Sequence, residues 1–296
     1  MTGDRAGAPP TLTYVYAVVP ADDEVAEAVG PLRGVAEAAV LLLTEDAASG
    51  PELAFAASRV PAEDFGESAL KQHFEDVGWL EDTARAHHGV VEALAARTAV
   101  LPLRMATVYQ DAERARQALS RRRKYFAERL ALLRDHTEYG VKIYLAPSPS
   151  PSSSSEGEPD DGPPGSGPGA SPDTATPGRS YLRQRRAQHA AREARDVQAG
   201  EAAAHVEAAG ARHATGVVRH PVQRSALSGP LENILNNAYL VPDGETERFR
   251  AAVLEAAAPY TALRIELTGP WAPYSFAMPP EPEQGSREQT DDRPTP

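Results

Sequence analysis

Between Gly78 and Thr98 the chain repeats at alternating spacings of four and three: Leu80, Ala84, His87, Val91, Leu94 and Thr98. That period gathers a stripe on one face of a helix and leaves Glu81, Asp82, Arg85, Glu92 and Arg97 to water. Ala99-Val100-Leu101-Pro102-Leu103 then breaks the period. Pro102 forbids a continuing helix and pushes Leu101 toward an extended conformation, so a short buried strand is expected there.

The elements before it follow from the same patterns. Leu12 to Val19 is apolar or aromatic on both faces, as a strand inside a sheet should be. Asp22 or Asp23 is placed to cap a short helix through Val29. Val35 to Leu43 and Leu53 to Val60 are two further apolar runs, the latter a strand. Pro61 and Ala62 open a helix carrying Phe65, Leu70 and Phe74, with Gly78 at its end or at a bend. After the central helix, Asp111 to Asp135 predicts one long helix with Ala115, Leu119, Phe126, Leu130 and Leu133 inward, and Arg122 breaking the period. Tyr139 to Leu145 alternates: Val141, Ile143 and Leu145 face one way, Lys142 and Tyr144 the other. Strands and helices interleave, which predicts an α+β domain of ferredoxin-like character over residues 11–145.

Residues 146–179 differ in kind. They are Ser, Pro, Gly and acidic residues with almost nothing to bury, the composition of a disordered linker. Residues 1–10 and 279–296 read as tails of the same kind. Residues 180–278 form the second domain. It opens with an Ala-, Arg- and Glu-rich helix over Tyr181 to Arg212, whose inward stripe is expected to be Ala187, Ala190, Ala194 and Ala204 with Leu182, Val197 and Val206. A strand follows within Leu231 to Val241, then a helix through Ala258 with Phe249, Val253 and Leu254 inward. Leu263, Ile265 and Leu267 alternate as a last strand, and Gly269 to Phe276 closes the domain.

Composition narrows the function. The net charge of −12 over 296 residues disfavours a general nucleic-acid binder. The absence of cysteine excludes disulfides, thiolate zinc sites and cysteine nucleophiles. No leader-like or bilayer-spanning apolar run is visible, so a cytoplasmic location and no membrane association are expected.

Candidate chemistry is sparse. His87 and His88 point about 100° apart on a helix and cannot clasp one ion, and no H-E-x-x-H pattern surrounds them. Arg104 could hook an anion or tie strand to helix. Arg121-Arg122-Arg123-Lys124 wraps most of a helix circumference, which suits a solvated surface better than a phosphate-binding face. Nucleophile-elbow, Walker and EF-hand templates are absent. No catalytic residue, metal or cofactor is therefore expected. Trp271, Tyr274 and Phe276 could equally be core or contact surface.

Several segments, in order, resemble the gas vesicle accessory proteins of the GvpF/GvpL family. They are Tyr14 to Val19, Trp79-Leu80 with Ala84, His87, Val90 and Val91, then Ala99 to Arg104, Thr107-Val108-Tyr109 and Glu138 to Lys142. In the second half, Leu235 to Val241 and Gly269 to Phe276 match as well. His88 stands where a Glu commonly follows the His, Met105-Ala106 replaces a more usual Phe-Gly, and the linker is long. The resemblance implies two ferredoxin-like α/β sandwich domains joined by a disordered linker and a helix. It also implies a non-enzymatic minor component or assembly factor that binds the hydrophobic wall protein GvpA and other Gvp proteins. Trp79, Arg85, His88, Arg104, Trp271 and Tyr274 are the partner-binding candidates. The competing readings are a ferredoxin-like small-molecule, heme or metal-binding enzyme using His87 and Arg104, and a nucleic-acid binder using Arg121 to Lys124.

Overall fold

The computed structural model describes residues 10–44, 52–145, 177–222, 232–261 and 263–277. Residues 1–9, nearly all of the first expected tail, residues 278–296, which include the whole of the second, and residues 146–176, most of the expected linker, lie outside the described residues. The chain is a mixed α/β protein with antiparallel pairing, and it divides into two compact units. One comprises residues up to Tyr139 with Leu240–Gly244 and the segment from Gly269 on; the other comprises Gly140–Tyr239 and Glu245–Thr268.

In the first unit, β1 (Thr11–Pro20) lies between β3 (Leu53–Pro61) on one side and the short β4 (Leu101–Pro102) and β5 (Val108–Tyr109) on the other, with β2 (Val40–Thr44) outside β3. All these pairs are antiparallel. The expected strand over Ala99 to Leu103 is thus reduced to Leu101–Pro102, because Pro102 has no N–H to extend the ladder.

Seven consecutive residues of β1, Thr13 to Val19, are buried. A bulge between Val15 and Ala17 changes the alternation, so that Tyr14 and Tyr16, then Ala17 and Val19, all enter one core. That core is closed by Val25 and Val29 of α1 (Asp23–Val29) and by Val90, Val91 and Leu94 of α4 (Val77–Ala95). Between them, α2 (Ala62–Phe65) and α3 (Glu67–His73) supply Phe65 and Leu70. The opposite face of the sheet meets other helices: Phe55 of β3 packs edge-on against Phe126, with centroids 5.9 Å apart.

Three local expectations change. α4 starts at Val77, with the Asp76 carboxylate accepting from Gly78 N and Trp79 N, and Gly78 lies in its first turn. Its buried face is Thr83, His87, Val90, Val91 and Leu94, while Ala84 is exposed. The long helix is two, α5 (Ala112–Arg121) and α6 (Arg123–Leu133), broken at Arg122. There the guanidinium lies 5.2 Å from the Phe126 ring centroid, where an inward aliphatic would have continued the stripe.

The second unit takes most of a four-stranded sheet in the order β7-β8-β6-β9. Its strands are β6 (His136–Leu145), β7 (Gly216–Arg219), β8 (Glu232–Pro242) and β9 (Leu263–Trp271). β7 is too short and too little apolar to stand out in the sequence. α7 (Pro177–Ala211) packs on α8 (Thr246–Ala257), and its Ala199, Ala202, Val206 and Ala209 are buried. Of the expected α7 stripe, Val206 is buried, whereas Ala187, Ala190, Ala194, Ala204 and Val197 are exposed. On α8, Phe249 and Val253 face inward and Leu254 does not. At Gly210 the helix lies close to the sheet: a Cβ there would meet the Tyr239 ring at 2.9 Å.

Candidate functional site

α4 presents its aromatic neighbours to two clusters, both in the first unit. At its start, Trp79 stacks flat on His73, centroids 4.7 Å apart, and touches Phe65 and Phe74. Phe74 and Val77 flank this cluster and are 48% and 75% exposed, large apolar surface that water would otherwise not be offered. The acidic Glu75 and Asp76 between them explain why the sequence disguises it.

Two and a half turns later, about 14 Å along the helix, His88 meets the chain's C-terminal segment. Its ring lies 5.9 Å from Trp271 and 5.8 Å from Tyr274. His88 Nε2 also pairs with Glu92 at 3.0 Å, one turn on. That segment is held by Glu138 at the start of β6, whose carboxylate accepts the Ser275 N–H at 2.8 Å and the Ser275 hydroxyl at 2.6 Å. Arg129 of α6 adds a hydrogen bond to the Phe276 carbonyl, and α9 (Tyr274–Ala277) buries Phe276 and Ala277.

Beneath His88 lies a buried polar cluster in which His87 Nε2 has no hydrogen-bond partner among the described residues. Tyr14 Oη accepts the Ala106 N–H and lies 3.0 Å from His87 Nδ1. With one lone pair so engaged, the hydroxyl proton is directed to Nδ1, which leaves a neutral imidazole protonated on Nε2. Burial pushes His87 down to about 4, with the Leu103 backbone opposing and His88 adding to the shift. Burial likewise raises the Tyr274 phenol, reinforced by the Glu92 carboxylate. The Tyr274 hydroxyl finds no hydrogen-bond partner among the described residues. His87 is therefore a core histidine with a structural hydrogen bond.

A cavity of about 600 Å³ opens beside this cluster, with Trp271, Pro270 and Pro273 as one wall and the C-terminal turn of α4 as another. Arg97, Asp135 and Asp243 supply polar lining. Among the described residues no three His, Asp or Glu side chains form a group that could hold a metal ion.

Of the six contact candidates, the structure brings together His88, Trp271 and Tyr274. Arg85 lies one turn before His88 and is engaged by Glu81 at 2.5 Å and Asp82 at 3.2 Å. Trp79 belongs to the first cluster. Arg104 is exposed in the turn after β4, where its carbonyl accepts from Thr107. Nothing in the sequence pairs Glu138 with Ser275, 137 residues apart, and Phe74, expected beside Phe65 and Leu70 on its helix, is exposed together with Val77.

Fold and surface together define a mixed α/β protein whose exposed apolar residues include Phe74, Val77 and Trp271. The family described as "Gas vesicle synthesis protein GvpL/GvpF" matches residues 12–278. The chain is similar to Gas vesicle protein L of Streptomyces sp. (strain CB03234), 38% identical over 271 residues, covering 90% of this chain and 92% of that one. Its fold is similar to crystal structures of GvpF from Anabaena sp. PCC7120 and from Microcystis aeruginosa. The first has a TM-score of 0.58 at 18% identity, over 90% of this chain and 96% of that one. The second has a TM-score of 0.55 at 17% identity, over 90% and 99%. The chain belongs to the GvpL/GvpF family and has a gas-vesicle-related role. No described helix is long and apolar enough to cross a membrane.

Proposed function

We propose that this protein is a cytoplasmic accessory factor of gas vesicle formation that binds the hydrophobic wall protein GvpA and other Gvp proteins. The observation that carries this reading is the convergence of His88, Trp271 and Tyr274, with Trp271 41% exposed at the lip of a cavity. Aromatic side chains with one apolar face and one polar edge are the usual anchors of protein contacts. The Trp79, Phe74 and Val77 cluster extends the same helix as a second apolar contact. The net charge of −12 keeps the carrier soluble while it shields an aggregation-prone subunit. The role is that of a minor structural component or assembly factor, without catalysis or a cofactor.

The same reading takes both halves, residues 11–145 and 180–278, as ferredoxin-like and joined by a linker over 146–179. The strand order β2-β3-β1-β4, antiparallel throughout, supports it for the first half.

The test is co-purification of GvpA with tagged full-length protein from cells expressing both. Trp271→Ala with His88→Ala should reduce captured GvpA about ten-fold, as loss of one interface anchor does. Undiminished capture by that variant would remove this face from the contact.

A further inference from the structure

Where α3 gives way to α4 the surface is apolar at its centre and acidic around it. Phe74 caps the C-terminus of α3, and Val77 opens α4 three residues later. Both are exposed, Val77 three-quarters so. They stand beside an aromatic floor, in which Trp79 stacks on His73 and meets the Phe65 and Phe74 rings. Two apolar side chains held in water are a cost to the free chain that burial against a partner removes.

The frame around them is charged. Residues 63–85 hold seven carboxylates against two cations, Lys71 and Arg85, so this stretch carries −5 of the chain's −12. Lys71 pairs with Glu67 at 2.8 Å, and Arg85 is shared by Glu81 and Asp82. Both cations are thus occupied, and the rest of the negative charge is unbalanced. The carboxylates of Glu63, Asp64 and Glu75 have no partner among the described residues. Asp76 accepts from Gly78 N and Trp79 N, which fixes its charge beside Val77. Glu75 and Asp76 sit between the two exposed apolar residues, and Glu63 and Asp64 precede Phe65.

Resting on the reading of this cluster as a second contact of α4, we propose that the Phe74–Val77 patch docks an amphipathic protein helix whose apolar stripe is flanked by lysines and arginines. The acidic frame repels nucleic acid and anionic lipid. A corner between two helices offers no sheet edge for strand addition. A basic amphipathic helix meets both features at once. Its apolar residues, spaced three and four, cover Phe74 and Val77, and its flanking cations reach Glu63, Asp64 and Glu75. Opposite charge speeds the encounter, while the apolar pair holds the complex.

The experiment measures fluorescence anisotropy of a labelled synthetic peptide titrated with the full-length protein. The peptide is about three heptads long, with leucines spaced three and four and lysines on both flanks. Phe74→Ser with Val77→Ser should weaken binding at least about ten-fold. Glu63→Gln, Asp64→Asn and Glu75→Gln together should weaken it at least about ten-fold and flatten its decline between about 50 and about 200 mM salt. Glu201→Gln, Glu247→Gln and Glu255→Gln together make the same charge change on exposed carboxylates of the second unit, and should weaken it by less than about three-fold. Circular dichroism should show each variant folded. On the unchanged protein, a peptide with serine in place of leucine should bind at least about ten-fold more weakly. No binding of the leucine peptide, equal loss in the two carboxylate triples, or equal binding of the serine peptide would overturn the docking site. So would vesicles of anionic lipid that retain the protein through Phe74 and Val77. GvpA capture is read separately through Trp271→Ala with His88→Ala, so its failure bears on the functional reading and leaves the peptide titration as it stands.

Discussion

Glu138 and Ser275, 137 positions apart, are joined by two hydrogen bonds, with the Ser275 amide and hydroxyl each donating to a different carboxylate oxygen at 2.8 and 2.6 Å. Glu138 is 8% exposed. This contact fixes where Trp271 and Tyr274 meet α4. Glu138→Ala leaves two donors without acceptors and should cost about 3 kcal/mol, read as a lower urea midpoint. Glu138→Gln keeps one acceptor and should cost less. Burial pushes the Glu138 carboxyl up, with Ser275 holding it back. The ionised form is thus disfavoured on folding, and this contribution improves as pH falls through the folded-state value.

His87 gives the opposite pH dependence. Its folded value lies near 4, below the ordinary 6.5 of the unfolded chain. Above 6.5 neither state is protonated and stability is whole. Between 6.5 and 4 the unfolded chain takes the proton first, so stability falls by roughly 3 kcal/mol. His87→Gln, which can still accept from Tyr14 but does not titrate, should flatten this segment of the stability–pH curve.

Gly34 lies against the Tyr16 hydroxyl so closely that a Cβ would come to 1.9 Å of it. Tyr16 cannot yield: it is fully buried, accepts from Val35 N at 3.0 Å and donates to Ser58 Oγ at 2.9 Å. Gly34→Ala should therefore cost about 2–4 kcal/mol. In a Tyr16→Phe background the cost should shrink by at least about 1 kcal/mol, a coupling a double-mutant cycle measures.

Ala106 occupies the left-handed region, φ 61°, so that its N–H can reach Tyr14. A Cβ there costs about 1–2 kcal/mol, while glycine adds unfolded-state entropy. Ala106→Gly should stabilise the protein by about 0.5–1 kcal/mol in chemical denaturation.

How much was legible depends on the range of each interaction. The α4 stripe, the doubly apolar β1 and the alternation of β6 are local periodicities, and they emerge as elements close to those expected. The β1 bulge was not legible, because it is set by pairing with β3 and changes which side Ala17 and Val19 face. The buried α7 stripe differs from the expected one because alanines occur on every face of that helix, and tertiary packing selects which are buried. For the site, the aromatic identities of Trp271 and Tyr274 and the position of His88 were visible. Their meeting was not, since it depends on the Glu138–Ser275 contact between distant segments.

Trp79 and Trp271 are the chain's two tryptophans. In a Trp79→Phe variant Trp271 is this chain's one tryptophan, and its emission during titration with GvpA, after subtraction of the emission of GvpA alone, tests the proposed contact most directly. Docking predicts a saturable blue shift as the exposed indole leaves water, lost in Glu138→Ala, where the segment is no longer held. An unchanged spectrum while GvpA is demonstrably bound would contradict the account.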